Sequence, residues 1–276
     1  MRPGLLLISL AALAGCKAAQ PSEQAKAPPP GMAAASAPTM AASASASASA
    51  SAGAALAVSE ETPLYQFAYS YPAAAGRLPA LKAWLDADLA KQKADLIAGA
   101  KDGRDEAKKN GFDYNPYAYS TEWKVVTDLP GWLSLSAQRW SFTGGAHGNP
   151  WADGLVWDKT ANMRREALDL FTAKQALSAA IRAPFCAALD KQRAEKRGEP
   201  VRHGSTEMFD ECIDPAESTV ILGSSDKQHF TRIGVLVNPY EAGPYVEGFY
   251  EVTLPVTPAV LKAVRPEYRA AFAAVR

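Results

Sequence analysis

The stretch Leu133-Ser134-Leu135-Ser136-Ala137-Gln138 decides the fold class, because apolar and polar residues alternate strictly along it. This period of two is typical of a strand that buries one face and exposes the other. The strand leads into the glycine-rich segment Thr143-Gly144-Gly145-Ala146-His147-Gly148-Asn149, and a further strand is predicted over 151–157. The centre of the chain is therefore expected to contribute strands to a sheet with one buried face.

The same alternation, interrupted by turn-forming residues, predicts strands on both sides of this centre. These strands are expected at 65–71, 117–127, 218–223, 232–237 and 248–256. Strands and helices are mixed without a regular βαβ repeat. This pattern indicates an α+β fold with mainly antiparallel sheets and packed helices.

Two long helices are predicted from apolar residues at helical spacing. The first covers 78–98, and the charged stretch 99–111 either extends this helix or frays. The second begins at a capping box formed by Thr172 and Gln175.

The second helix contains Pro184, which is expected to kink or interrupt it. The charged residues 190–204 are expected to form a loop. Short helices are predicted near the end of the chain, where Pro258 and Pro266 each stand at a suitable first helical position.

The N-terminus has the pattern of an export signal. Arg2 precedes a short apolar stretch, Leu5 to Leu13, and small residues lead to Cys16. The stretch is too short to span a membrane, and small residues suit a cleavage site. The run Leu13-Ala14-Gly15-Cys16 resembles a bacterial lipobox, in which the cysteine is lipidated and becomes the first mature residue. An ordinary signal peptide that happens to contain a cysteine is the alternative.

We therefore expect residues 1–15 to be a lipoprotein signal peptide and Cys16 to carry a lipid that anchors the protein to a membrane outside the cytoplasm. Lys17 resembles the residue found after the cysteine in lipoproteins of the outer membrane that face the periplasm, if the host has two membranes. Residues 16–60 are rich in Ala, Ser and Pro and are expected to form a disordered tether.

Composition argues against several classes of partner. Lys plus Arg and Asp plus Glu number 29 each, so the balanced chain has no electrostatic reason to bind nucleic acid. His147, His203 and His229 are scattered, without a pair at metal-ligand spacing, and there is no G-x-S-x-G motif. We therefore expect no nucleic acid, no cofactor, no metal and no catalytic set.

Cys186 and Cys212 remain once Cys16 is assigned to the anchor. An even pair in an oxidising compartment favours a disulfide. On the chain-entropy model, closing a loop of about 27 residues is worth about 3 kcal/mol. Two buried free thiols are the alternative, because the sequence does not show the separation of their Cα atoms.

Two loops are candidate binding sites. The first is 143–149, where three glycines surround His147 and permit close approach of a ligand or another backbone. The second is 238–249, where Tyr240, Glu241, Tyr245 and Glu247 stand among turn-forming residues; such loops suit a sugar or a basic protein surface. The structural alternatives are a tight strand connection and solvated turn acids, and a pair of glycosidase carboxylates is a further reading.

Taken together, these motifs resemble one family. A strand ending in Thr-Gly-Gly-Ala-His-Gly, the helix start Leu168-Asp169-Leu170-Phe171, and Asn-Pro-Tyr-Glu-x-Gly-Pro-Tyr-x-Glu-Gly from 238 are similar to the extracytoplasmic DUF3298 domain, which commonly follows a DUF4163 (PdaC-like) domain. The resemblance covers about 62–265. It implies two small subdomains, DUF4163-like over 61–157 and DUF3298-like over 158–276.

The resemblance to this PdaC/RsiV-like family implies a role in the cell envelope. Related domain pairs occur in a lysozyme-sensing anti-sigma factor, and a DUF4163 domain precedes the catalytic domain of some peptidoglycan deacetylases. This chain shows neither a transmembrane helix of that sensor type nor a deacetylase domain. A tethered binding module is therefore expected.

We expect this module to bind peptidoglycan or a lysozyme-like muralytic protein without catalysis. The residues expected to contact the ligand are His147, Asn149, Tyr240, Glu241, Tyr245 and Glu247. Two other functions stay open. One is a hydrolase of wall glycan or peptide with His147 or a Glu as acid/base, and the other is a structural or assembly lipoprotein.

Overall fold

The structure, a computed structural model, describes residues 54–205 and 207–275. The expected signal peptide 1–15, the lipidation site Cys16 and most of the expected tether lie outside the described residues. Within the described part of the chain, no helix combines the length and the apolar character that crossing a membrane requires.

A six-stranded sheet is built from the first half of the described chain, with its strands in sequence order. The strands are β1 (Leu56–Glu61), β2 (Tyr65–Tyr71), β3 (Tyr117–Asp128), β4 (Trp132–Phe142), β5 (Asn149–Asp158) and β6 (Met163–Arg165). All neighbours are antiparallel except β2 and β3, which are parallel because a helix crosses over between them. Residues 56–60, which composition assigned to the tether, instead pair with β2 as part of β1.

One face of this sheet packs against a long helix. The short helix α1 (Ala73–Gly76) precedes α2 (Pro79–Asn110), which buries Leu81, Leu85 and Leu96 against the buried aromatic stripe of β2. Residues 99–110 extend α2 rather than fray. The helix ends at Gly111, whose φ of 73° is the left-handed conformation that glycine adopts at helix C-termini.

The other face of the large sheet contacts a second, three-stranded antiparallel sheet. Its strands are β7 (Thr219–Gly223), β8 (Arg232–Val237) and β9 (Tyr250–Pro255). Helix α3 (Lys174–Arg197) covers the far side of this small sheet, and the short helix α4 (Pro258–Ala263) packs beside α3. Turns of 3₁₀ helix cover Ala167–Leu170, Tyr245–Glu247 and Pro266–Ala271. The mixed architecture confirms the predicted α+β class with mainly antiparallel sheets.

Helix α3 differs from its prediction in two respects. Its N-cap is Ala173, and the Thr172 hydroxyl donates to the backbone oxygen of Ala263 instead of capping the helix, so the predicted capping box is wrong. The helix also continues to Arg197 through residues predicted to be a loop. It runs through Pro184 without interruption, and a kink at that residue stays a prediction. Tertiary contacts stabilise this extension, as local propensity is a weak guide where side chains are buried.

Cys186 and Cys212 form a disulfide, with their Cα atoms 5.6 Å apart, as predicted. The bond joins α3 to the segment that leads toward β7. The two sheets also share apolar contacts, because Leu129 and Val156 of the first half lie in the same buried cluster as Val220 and Leu222. The division into subdomains near residue 157 stays a prediction.

Candidate functional site

The two loops selected from the sequence lie against each other in the structure. The loop 143–148 joins β4 to β5, and the loop 238–249 joins β8 to β9. Asn238 links the second loop to β5, because its side-chain oxygen accepts a hydrogen bond of 2.7 Å from the backbone N–H of Ala152 in that strand. The second loop is thereby attached to the strand that follows the first.

Three aromatic rings form the contact between the loops, and we call them the aromatic surface: His147, Tyr240 and Tyr245. The imidazole of His147 stacks on the ring of Tyr245 with centroids 4.0 Å apart. The Tyr245 hydroxyl donates to the backbone oxygen of Gly148 at 2.9 Å. The Tyr240 hydroxyl lies 3.5 Å from His147 Nε2, and its ring is tilted against Tyr245 at 5.8 Å.

The hydrogen bonds of His147 define its tautomer. Nδ1 lies 2.9 Å from the backbone oxygen of Gly148, which can only accept, so Nδ1 carries a proton. In the neutral ring Nε2 is then an acceptor that faces the Tyr240 hydroxyl. His147 is nevertheless exposed to solvent.

The glycines of the first loop have distinct roles. Gly144 and Gly145 have φ values of 90° and 95°, which the turn requires and which few other residues tolerate. Gly148 is buried, and a Cβ there would lie 2.3 Å from the Trp140 ring. Its lack of a side chain leaves room for the Trp140 ring against the backbone of the loop.

Tyr240 has a strained backbone. Its φ is 71°, in the left-handed region that costs a non-glycine residue about 1 kcal/mol or more. Its N–H nevertheless donates to the backbone oxygen of Gly243 at 2.9 Å, which closes the turn. The side chain is 54% exposed. An exposed aromatic residue held in a strained conformation motivates a functional hypothesis for this position.

Glu241 is bound inside its own loop. Its carboxylate accepts hydrogen bonds from the side-chain amide of Asn238 at 2.6 Å and from the Ser218 hydroxyl at 2.8 Å. It also accepts one from the Asn238 backbone N–H at 3.2 Å. This carboxylate therefore orients Asn238, which in turn holds β5.

The Glu247 side chain is only 10% exposed. Its carboxylate accepts from Arg197 Nε at 2.9 Å and from the Tyr250 hydroxyl. Burial, together with this hydrogen bond to Glu247, raises the pKa of Tyr250 to about 12. A Cβ at Gly243 would lie 2.0 Å from Glu247 Oε2, so the carboxylate occupies the space that the glycine leaves.

The structure therefore separates the expected ligand-contacting residues into two groups. His147, Tyr240 and Tyr245 meet at the surface, and Asn149 is exposed at the first position of β5. Glu241 and Glu247 are engaged by Asn238, Ser218 and Arg197. Their role as ligand contacts stays a prediction.

Sequence reasoning did not identify Asn238, Ser218 or Arg197 as supports of this site. Asn238 belongs to the quoted motif, and its spacing from Glu241 is the one local signal. Arg197 reaches Glu247 from the end of α3 and also contacts Asp210 at 3.0 Å. Pairings between distant segments leave no pattern in a single sequence.

The other histidines lie outside the aromatic surface. His203 pairs with Asp190 at 2.8 Å and His229 with Asp226 at 3.0 Å. Over 54–205 and 207–275, no three His, Cys, Asp or Glu side chains are grouped so that they could hold a metal ion.

Comparison with known proteins finds similarity to one family over part of the chain. Two solved crystal structures of DUF3298 family proteins are similar. One, from Bacteroides fragilis NCTC 9343, has 17% identity and a TM-score of 0.41, over 73% of this chain and 88% of that one. The other, from Pseudomonas aeruginosa PAO1, has 15% identity and a TM-score of 0.48, over 80% and 97%. No curated protein matches the sequence. Residues 58–150 match the family model described as deacetylase PdaC, in agreement with the PdaC-like part of the resemblance.

Proposed function

We propose that the protein is a non-enzymatic binding module of the cell envelope, and that its aromatic surface engages a lysozyme-like muralytic protein. The observation that carries this proposal is the meeting of His147, Tyr240 and Tyr245 on two loops of different sheets. The match of residues 58–150 to the PdaC family model and the lipobox-like run ending in Cys16 support a location in the cell envelope.

The form of the surface favours a protein partner over a glycan. Tyr240 is 54% exposed and Val246, next to Tyr245 in the same loop, is 78% exposed, so two large side chains of this loop reach solvent. Projecting tyrosines supply much of the affinity of protein interfaces when they enter a pocket of the partner. A glycan chain, in contrast, is held in concave sites. The cleft of a glycan-cleaving enzyme would suit a projecting aromatic loop.

The loop 238–249 is also ordered by its own hydrogen bonds in the absence of a partner. Asn238, Glu241 and Ser218 hold one end, and Arg197 fixes Glu247 near the other. A loop that is ordered in advance loses less conformational entropy on association. The strain at Tyr240 is consistent with selection of this position for contact rather than for stability.

A catalytic role for His147 has less support. Among the residues that the structure describes, its ring nitrogens contact the Gly148 carbonyl and the Tyr240 hydroxyl. A histidine that acts as a general base is commonly oriented by a third group such as a carboxylate. The hydrolase alternative is tested by His147→Ala: loss of any wall-cleaving activity of the full chain would favour it.

The decisive experiment measures binding of the full chain to a purified lysozyme and, separately, to purified peptidoglycan. We expect lysozyme to bind and Tyr240→Ala to weaken it about thirtyfold, the size of a typical interface hot spot. Phe112→Ala is the matched control, because Phe112 is 72% exposed at the end of α2 and should not matter. Binding to peptidoglycan alone that Tyr240→Ala weakens would assign the aromatic surface to the polymer, and binding to neither would leave a structural or assembly lipoprotein.

Anchoring is proposed on the sequence pattern. Replacement of Cys16 by Ala removes the atom that a lipid would modify. The variant is expected in the soluble envelope fraction, whereas the unchanged chain sediments with membranes. Equal sedimentation of the two chains would contradict the anchor.

A further inference from the structure

We infer that a polar cleft between α2 and the large sheet binds a neutral sugar ring. The cleft has a volume of about 320 Å³ and lies at one end of the sheet face that α2 covers. It is lined by Trp84, Asp88, Gln92, Tyr119, Arg139, Trp151, Asp153 and Arg164. The volume suits one or two sugar rings, at the small end of ligand pockets.

The cleft lies where three strands depart from the apolar pattern of their buried face. In β4 the positions that face α2 are Leu133, Leu135 and Ala137, and the next position on that face is Arg139. Sequences that obey patterning rules elsewhere tend to break them at functional sites. If these positions served only to pack α2 against the sheet, apolar residues would be expected at the position of Arg139 as well.

Arg139 organises the polar floor of the cleft. Its side chain is 5% exposed and contacts Asp88 and Asp153, each at 3.1 Å, and the Tyr119 hydroxyl at 2.7 Å. It also lies over the Trp123 ring, 5.4 Å from its centroid. A buried guanidinium with this many partners holds both carboxylates and the tyrosine in fixed positions.

Hydrogen-bonding capacity remains for a ligand. Gln92 donates to Asp88 at 3.2 Å, and among residues 54–205 and 207–275 its amide oxygen accepts no hydrogen bond, so it can accept one from a ligand. The Asp153 side chain is 34% exposed, and each carboxylate oxygen can accept more than one hydrogen bond. Arg164 Nε is buried without a hydrogen-bond partner in the described part of the chain. Carboxylates, an amide and a guanidinium are suited to the adjacent hydroxyls of a sugar.

Aromatic rings supply the other half of sugar recognition. Trp84 and Trp151 line the cleft and are partly exposed. Tyr119 meets Trp151 edge to face at 5.9 Å, and Arg164 lies over Trp84 at 4.9 Å, so the rings are fixed in place. Such rings present a flat apolar face beside polar atoms, which complements the C–H face of a pyranose.

The charges of the cleft favour a neutral ligand. Arg139 lies between two aspartates, and Arg164 pairs with Glu166. A phosphate or carboxylate ligand would need uncompensated cationic groups, and here each guanidinium already faces an anion. The proposed sugar site shares no residue with the aromatic surface, so each of the two proposals can be tested independently of the other.

The test titrates the full chain with cellotetraose and with chitotetraose, neutral oligomers that differ in their acetamido groups, and follows tryptophan fluorescence. We expect at least one of them to change the emission in a saturable way. Gln92→Ala and Trp151→Ala should each weaken binding at least tenfold. Gln138→Ala is the matched control, because Gln138 is exposed on the opposite face of β4 and should leave binding unchanged.

Melting temperatures of the variants separate a ligand role from a structural one. Loss of binding by Gln92→Ala at an unchanged melting temperature supports the site. Absence of saturable binding up to about 10 mM of either oligomer, a concentration well above a millimolar dissociation constant, overturns the inference. Binding that survives both cleft variants also overturns it. Tyr240→Ala should weaken lysozyme binding about thirtyfold and leave sugar binding intact, so each proposal can fail while the other holds.

Discussion

The imidazole of His147 stacks on the phenol ring of Tyr245, with an angle of 23° between the ring planes. His147 precedes a strand of the large sheet, and Tyr245 lies between two strands of the small one. The contact therefore joins the loops of two sheets that also pack face to face. A partner that contacts both rings would contact the loops of both sheets.

Tyr240→Gly should separate binding from stability. Glycine adopts a φ of 71° without strain, although it adds entropy to the unfolded chain. We therefore expect the free energy of unfolding to rise by up to about 1 kcal/mol, measured by urea denaturation. Binding of lysozyme should fall at the same time.

The control for this change is Lys227→Gly. Lys227 is exposed and has a comparable φ of 60°, but it lies away from both loops. It should give a similar gain in stability with unchanged binding. A Tyr240→Gly protein that is clearly less stable than the original would show that the Tyr240 ring contributes more by packing than its backbone strain costs.

Gly148→Ala should destabilise the protein. The added Cβ would lie 2.3 Å from the Trp140 ring, which packs on the buried side of the loop. Overpacking of this kind costs about 1–3 kcal/mol, and thermal unfolding should show it as a lower melting temperature. A melting temperature equal to that of the original chain would show that Trp140 moves without cost.

Gly99→Ala is the comparison for that variant, with the opposite expected sign. Gly99 lies inside α2, and a Cβ there would meet no atom within 4 Å. Alanine should therefore raise the free energy of unfolding by about 1 kcal/mol through helix propensity. Together the two variants distinguish a glycine required by packing from one that is not.

Removal of the disulfide should cost about 3 kcal/mol on the chain-entropy model. The double variant Cys186→Ser and Cys212→Ser breaks a bond that connects α3 to the segment before β7. Urea unfolding of this variant should match that of the unchanged chain in reducing agent. A difference between them would indicate that the serine hydroxyls, rather than the missing bond, determine the loss.

Alkaline pH should weaken the fold through Tyr250. Its pKa of about 12 in the folded protein exceeds the value near 10 expected in the unfolded chain. The folded state therefore retains the proton over this interval, and stability is full below pH 10 and decreases as pH rises from about 10 to 12.

Tyr250→Phe should reduce this loss, because phenylalanine has no proton to release. The measurement is the urea midpoint between pH 9 and pH 11.5 for both chains, a window spanning the ordinary tyrosine pKa of about 10. A loss of the same size in the variant would assign the alkaline effect to other groups, such as Tyr65, whose hydrogen bond to Glu60 raises its pKa to about 12.

Local patterns predicted the elements well where burial and periodicity agree. The alternation of Leu133, Leu135 and Ala137 predicted a strand with one buried apolar face, and all three are buried in β4. The expectation that the opposite face is exposed is wrong at Ser134, which is 1% exposed because the small sheet packs on that side. The limits of α3 were missed at its C-terminal end. There Arg193 is fully buried, and its guanidinium donates to the backbone oxygens of Ala242 and Glu211. From the sequence alone, Arg193 would be expected at the surface, because the groups that accept its hydrogen bonds belong to distant segments of the chain.

The sequence by itself determined the α+β class, the pairing candidates Cys186 and Cys212, and the two loops that carry the aromatic residues. Each of these follows from composition, local spacing or a short motif. Only the tertiary structure decided that His147 meets Tyr240 and Tyr245, that Glu247 faces inward to Arg197, and that Arg139 lies beneath a cleft. These outcomes depend on contacts between segments far apart in the chain, whose energies arise from burial and long-range hydrogen bonds that no local pattern encodes.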